Sequence, residues 1–193
     1  MAALRFSHEI GGDARDDGET AVGSGCGDDP VGHRPAVSEG ERISSTNAAP
    51  VNVLVIHGPN LDLLGTREPE IYGAQTLADV DRRIAEQAAE LGVRVDCVQH
   101  NSEGAIVDAL HAARGHYDGI ILNAAAYTHY GYALRDAIAA VGIPTIEVHL
   151  TNTLAREPFR AKSVIGPVCR GTIAGFGVDS YLLALRAFAG NRK

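Results

Sequence analysis

The stretch Asn52–Gly73, NVLVIHGPNLDLLGTREPEIYG, decides the fold. Val53 to Ile56 is short, apolar and β-branched, the pattern of a buried strand. It stops at His57-Gly58-Pro59-Asn60, where Gly and Pro end the strand and polar groups take over. About fifteen residues pass before the next helical pattern, longer than most loops in compact domains. That interval carries Asn60, Arg67, Glu68 and Tyr72, a composition that suits a lid over a site.

Downstream, the same alternation repeats. Thr76 caps a helix running to Leu91, with Leu77, Val80, Ile84 and Ala88 at helical spacing and Gly92 as its stop. Val93 to Val98 reads as a second strand, followed by a helix over 103–114. Gly119 to Leu122 is a third strand ending at Asn123. A helix through Leu134, Ile138 and Val141 leads to a fourth strand, Pro144 to Val148, ending at His149. A fifth strand is expected near Val164 to Cys169, and Asp179 to Ala189 closes as a helix. Strands alternating with helices give a parallel sheet with right-handed crossovers. Four of the strands read as continuous apolar runs buried on both faces. The expected fold is a three-layer α/β sandwich, flavodoxin-like, with a five-stranded parallel sheet. Ligands in such sheets bind beyond the carboxyl ends of the strands. That rule gathers Asn60, His100 to Ser102, Asn123 to His129 and Glu147 to Asn152 into one region.

Composition narrows the classes. A net charge of −7 argues against a general nucleic-acid binder. Residues 1–50 hold nine acids against four arginines, and eight glycines. Such a segment buries too little apolar surface to offset its chain entropy. It reads as a disordered acidic tail, with 51–193 as the folded domain. Cys26, Cys97 and Cys169 form no CxxC, which leaves reduced thiols in a cytoplasmic protein as the expectation. No apolar run approaches a membrane span, and the first residues lack a secretory pattern.

Tyr72 lies five residues after Arg67, and a guanidinium beside a phenol favours the phenolate, hence a general base. The plain alternative is a packed ring and a solvated arginine. Glu147 and His149 are two apart at a strand end, so they leave one face. Glu147 could orient a protonated His149 as general acid. A structural His–Glu pair, or a metal held by Glu147, His149 and His129, are the competing readings. Asn60, Asn123 and His129 suit hydroxyls or a developing oxyanion. Arg156 and Arg160 suit a carboxylate or polyol. Asp136 sits on the helix after the third strand. There is no GxGxxG after the first strand, no GxxxxGK[ST] and no GxSxG. The only lysines are Lys162 and Lys193. What remains is cofactor-free acid–base chemistry on a small polar molecule. A non-catalytic module that binds a small carboxylate in the same pocket is the alternative class.

The segments HGPNLDLLGTREPEIYG (57–73), NAAAYTH (123–129), ALRDA (133–137), IEVHLTN (146–152) and AREPFR (155–160) resemble type II 3-dehydroquinate dehydratase. The resemblance spans about residues 51–190. It implies dehydration of 3-dehydroquinate to 3-dehydroshikimate by syn elimination through an enolate, without metal or cofactor, in a dodecamer built from trimers. It implies Tyr72 as base, Arg67 holding it as phenolate, His149 as acid, Glu147 orienting His149, and Asn60 on the enolate. Asn123, His129 and Arg160 would bind hydroxyls, and Leu150 and Thr151 the carboxylate. Asp136 would reach a neighbouring subunit's site. The chain departs from the family's pattern at His57 (usually Asn), Ala124-Ala125 (Pro-Gly) and Tyr130-Gly131-Tyr132. Related cyclic hydroxy-ketoacids are therefore alternative substrates.

Overall fold

The structure, a computed structural model, describes residues 49–66 and 74–190. The expected tail, except its last two residues, and the Arg67–Gly73 part of the lid lie outside them. Five strands form one all-parallel sheet: β1 (Asn52–His57), β2 (Arg94–Gln99), β3 (Gly119–Asn123), β4 (Thr145–His149) and β5 (Gly171–Ala174). Their order is β2-β1-β3-β4-β5, the flavodoxin-like arrangement, with its reversal of direction between β1 and β3. Among the described residues four helices cover it: α1 (Leu77–Leu91), α2 (Glu103–Ala112), α3 (Tyr132–Val141) and α4 (Asp179–Ala189). None among the described residues is long and apolar enough to cross a membrane.

The period-two alternation of the strands sorts the core into two clusters. Val53, Val55, Ile121, Ile146 and Val148 meet Val80 and Ile84 of α1 and Tyr181, Leu185 and Phe188 of α4. Leu54, Ile56, Ile120 and Leu122 meet Ile106 and Leu110 of α2 and Leu134 and Ile138 of α3. Both faces of β1 and β3 are therefore dry, which is why they read as unbroken apolar runs. Local chemistry sets the helix ends. Thr76 and Asp79 make a reciprocal capping box at α1, and Gly92 closes it at φ 64°.

Two expectations are corrected. The fifth strand is Gly171–Ala174, not 164–169. Gly166–Val168 forms a 3-10 turn containing Pro167, which has no N–H to give to a ladder. Val164 and Ile165 are apolar because they fill the α2/α3 side of the core. The second strand is a half-exposed edge with Arg94 and Asp96 on it, so only three strands are buried on both faces. The loops after β1, β3 and β4 contain 3-10 turns at Leu61–Leu63, Ala125–His129, Thr153–Ala155 and Pro158–Ala161.

Candidate functional site

A cleft of about 110 Å³ opens beyond the carboxyl ends of β1, β3 and β4. Its lining includes Asn60, Asn123, His129, His149, Leu150, Thr151, Arg156 and Arg160, and no carboxylate among the described residues. A cleft with two histidines, two arginines and two amides, and no acid, fits a small anion that carries hydroxyls.

The β1 and β3 ends are joined by close backbone approach. Gly58 N–H donates to the Asn123 carbonyl at 2.8 Å. A Cβ on Gly58 would lie 2.6 Å from that oxygen, so only glycine fits. Asn60 adopts φ 64°, a left-handed conformation asparagine tolerates. Its N–H donates to Asn101 Oδ1 at 2.9 Å, and Gln99 donates to the same oxygen at 2.9 Å. The side chains after β2 therefore brace the β1 loop. Beyond β3, Ala125 sits at φ 49° with a Cβ, in the left-handed region that favours glycine. Its N–H donates to Asn123 Oδ1 at 3.2 Å.

His129 donates from Nδ1 to the Lys162 carbonyl at 2.8 Å, since a carbonyl can only accept. A neutral ring then has Nε2 as its acceptor. Its imidazole packs edge-on to Phe159, and the Arg160 guanidinium lies over that same ring at 4.7 Å. Arg160 is oriented by Glu157, Nε to Oε2 at 2.7 Å. That hydrogen bond pulls the Glu157 carboxyl down to about 2, with smaller help from the Arg160 and Arg156 charges.

His149 and Glu147 leave β4 on one face, with Nε2 2.7 Å from Oε1. Glu147 has no solvent exposure. Its other oxygen accepts from Ser163 Oγ at 2.9 Å and Thr172 Oγ1 at 3.2 Å. Burial pushes this carboxyl up, but the hydrogen bond and charge of His149, with Ser163 and Thr172, outweigh it and leave Glu147 below its ordinary value. An ionised Glu147 accepts from Nε2–H and fixes the ring, which leaves Nδ1 as the nitrogen available for proton transfer. Gly166 closes this cradle: its N–H donates to Ser163 Oγ at 2.8 Å, and a Cβ there would meet Glu147 Oε2 at 2.9 Å. The Ser180 hydroxyl and Gly175 N–H clamp the His149 carbonyl at 2.9 and 3.2 Å.

The structure thus brings Asn60, Asn123, His129, His149, Leu150, Thr151 and Arg160 to one cleft, with Glu147 behind His149. Asp136, on α3, does not line it. Tyr72 and Arg67 lie outside the described residues. Ser163, Gly166 and Thr172 were not anticipated: they act through another side chain, and no spacing in the sequence marks them. Nor do Glu147, His149 and His129 converge as metal ligands. Glu147 is committed to Ser163, Thr172 and His149, and His129 Nδ1 to a carbonyl. Among the described residues, His57, Asp81 and Cys97 are the grouping with ligand atoms within 4.8 Å of one another. It lies behind Asn123 rather than on the cleft.

Comparison with known proteins agrees with this geometry. Residues 51–189 match the family model described as dehydroquinase class II. A 3-dehydroquinate dehydratase of Desulforudis audaxviator is 59% identical over 137 residues, covering 71% of this chain and 91% of that protein. One from Pelotomaculum thermopropionicum is 57% identical over 139 residues, covering 72% and 96%. The crystal structure of a type II dehydroquinase from Butyrivibrio crossotus superposes with a TM-score of 0.72 at 44% identity, covering 73% of this chain and 99% of that one.

Proposed function

The chain belongs to the class II dehydroquinase family, and from that premise we infer that it is a hydro-lyase converting 3-dehydroquinate to 3-dehydroshikimate in the shikimate pathway, toward the aromatic amino acids. The observation that carries the reading is the His149–Glu147 pair, 2.7 Å apart, at the edge of a cleft that no carboxylate lines among the described residues. A module that only binds a carboxylate has no use for a buried, charged partner behind its histidine.

The elimination needs a base and an acid. Tyr72, as phenolate beside Arg67, removes the C2 proton, and the electron pair moves onto the ketone as an enolate. Asn60 stabilises that oxyanion, through a water. The enolate then collapses to the C1–C2 double bond as the C1–O bond breaks. His149 delivers its Nδ1 proton to the departing hydroxyl, which leaves as water. Solvent later takes the Tyr72 proton and returns one to His149. Asn123, His129 and Arg160 hold the ring hydroxyls. The backbone at Leu150 and Thr151, with the Thr151 hydroxyl, holds the carboxylate. No cofactor or metal enters these steps. The same reading makes the working form a cytoplasmic dodecamer of trimers, with Asp136 reaching the adjoining subunit's site.

The test is direct. Purified protein is mixed with 3-dehydroquinate and the ultraviolet absorbance of the conjugated enone carboxylate is followed, with Tyr72→Phe in parallel. Growth that the variant abolishes is expected. No growth from folded protein would sink the substrate assignment and direct the search to related cyclic hydroxy acids. Normal turnover by Tyr72→Phe would sink the base.

A further inference from the structure

His57 has no solvent exposure, yet it carries two polar nitrogens at the end of β1. Both are used. Nε2 lies 2.9 Å from Asp81 Oδ1, and Nδ1 lies 3.0 Å from the Tyr181 hydroxyl. The Tyr181 oxygen accepts from Asn123 Nδ2 at 2.8 Å. Asn123 stands beside His57 in the β1–β3 register and reaches the cleft floor. Asp81 on α1, His57 on β1, Tyr181 on α4 and Asn123 on β3 thus form one chain ending at the cleft. Asp81 is also hydrogen-bonded by the Cys97 thiol, which burial, followed by the Asp81 charge, keeps protonated.

Hydrogen-bond satisfaction fixes every proton in this chain. Burial pushes the Tyr181 phenol up, so it keeps its hydrogen. Its oxygen already accepts from Asn123, so its O–H donates to His57 Nδ1. His57 is then neutral with its proton on Nε2, given to Asp81. An imidazolium would donate at both nitrogens and strand the Tyr181 hydrogen in the core, an unfavourable arrangement. The Asn123 amide is fixed from the other side as well, because Ala125 N–H faces its Oδ1. Flipping the amide would set donor against donor at Ala125 and acceptor against acceptor at Tyr181. One Nδ2 hydrogen and one Oδ1 lone pair remain for a ligand in the cleft.

We propose that His57 and Tyr181 are positioning residues for this site: anchored on Asp81, they lock the Asn123 amide in a single orientation and thereby set the enzyme's hold on the substrate's hydroxyls. The proposal rests on the dehydratase reading for its substrate and on the hydrogen bonds alone for its geometry. Tyr181 touches nothing that reacts, so its removal changes binding, not chemistry.

The closing experiment is a kinetic cycle with Tyr181→Phe, which keeps the ring and its packing and removes the hydroxyl. The KM for 3-dehydroquinate rises roughly 3- to 10-fold, the worth of one neutral hydrogen bond, with kcat within about twofold. In an Asn123→Ala background the same substitution moves KM less than about twofold, because the group it acts through is gone. An unchanged KM in Tyr181→Phe, or an equal rise in both backgrounds, overturns the proposal. A second measurement needs no variant: nitrogen-15 NMR of the full chain should show His57 neutral and protonated on Nε2. The other tautomer, or an imidazolium at neutral pH, overturns it. If the unsubstituted protein does not turn over 3-dehydroquinate, the substrate reading fails by itself, and the lock stands or falls on the tautomer.

Discussion

Replacing Glu147 with Gln removes a charge and almost no volume. The carboxylate accepts three hydrogen bonds, from His149 at 2.7 Å, Ser163 at 2.9 Å and Thr172 at 3.2 Å. A glutamine has one acceptor oxygen and one amino group, so it must choose a side. With its oxygen toward His149, the amino group meets two hydroxyl oxygens, and Ser163 already accepts from Gly166 N–H at 2.8 Å. The imidazole stays oriented but loses its counter-charge. A hydrogen bond to a charged group contributes about 1.5–3 kcal/mol and a neutral one about 0.5–1.5. The difference, about 1–2 kcal/mol, falls on the step in which His149 delivers a proton. It lowers kcat roughly 5- to 30-fold. KM changes little, because Glu147 has no exposed surface and does not reach the cleft. Steady-state kinetics by ultraviolet product absorbance, with melting curves to confirm folding, measure both constants. An unaltered kcat would refute the role of Glu147. A raised KM with kcat intact would refute His149 as the acid, since the pair would then be a binding device.

The same carboxyl gives a pH prediction. Its folded value lies below its ordinary 4.5, so its stabilisation is full above that value and is lost as pH falls through the lower folded one. Urea midpoints should therefore drop below about pH 4.5, and drop less in Glu147→Gln, while the Glu157 contribution persists in both. Ala125→Gly relieves a side chain at φ 49° and should stabilise by about 0.5–1 kcal/mol after the added chain entropy, read as a rise in Tm. Gly58→Ala drives a Cβ to 2.6 Å from the Asn123 carbonyl and should cost about 1–3 kcal/mol, with activity falling as the cleft floor shifts. Thr76→Ala breaks the capping box of α1 and should cost about 1 kcal/mol in denaturant unfolding.

What the sequence disclosed follows a physical division. The β1, β3 and β4 runs, the Thr76 cap and the Gly92 stop are local signals, and the structure keeps them. The fifth strand was misplaced because apolar content at 164–169 serves packing under α3, whereas Gly171–Ala174 is short and half exposed. The cleft was legible through the strand-end rule, which needs only topology. Ser163, Thr172 and Tyr181 were not, since each acts on a residue 16 to 58 positions away through a contact that only the fold creates. His57 was legible only as a departure from the family's usual Asn; its partners on α1 and α4 explain what a histidine does there.

The period-two alternation of the strands has one more consequence. Asn123 is rooted on the side of the sheet covered by α1 and α4, through Tyr181. Glu147 and His149 are rooted on the opposite side, against Ser163 and Gly166 beside Val164 and Ile165. Asn123 and the pair that expels water therefore hang from separate cores, with a sheet between them. Substitutions at Asp81, His57 and Tyr181 should drift affinity and leave turnover standing, and those at Ser163, Gly166 and Thr172 should do the reverse. A lineage could retune one property without reopening the other, and a library screened for both would fall into two populations divided by the plane of the sheet.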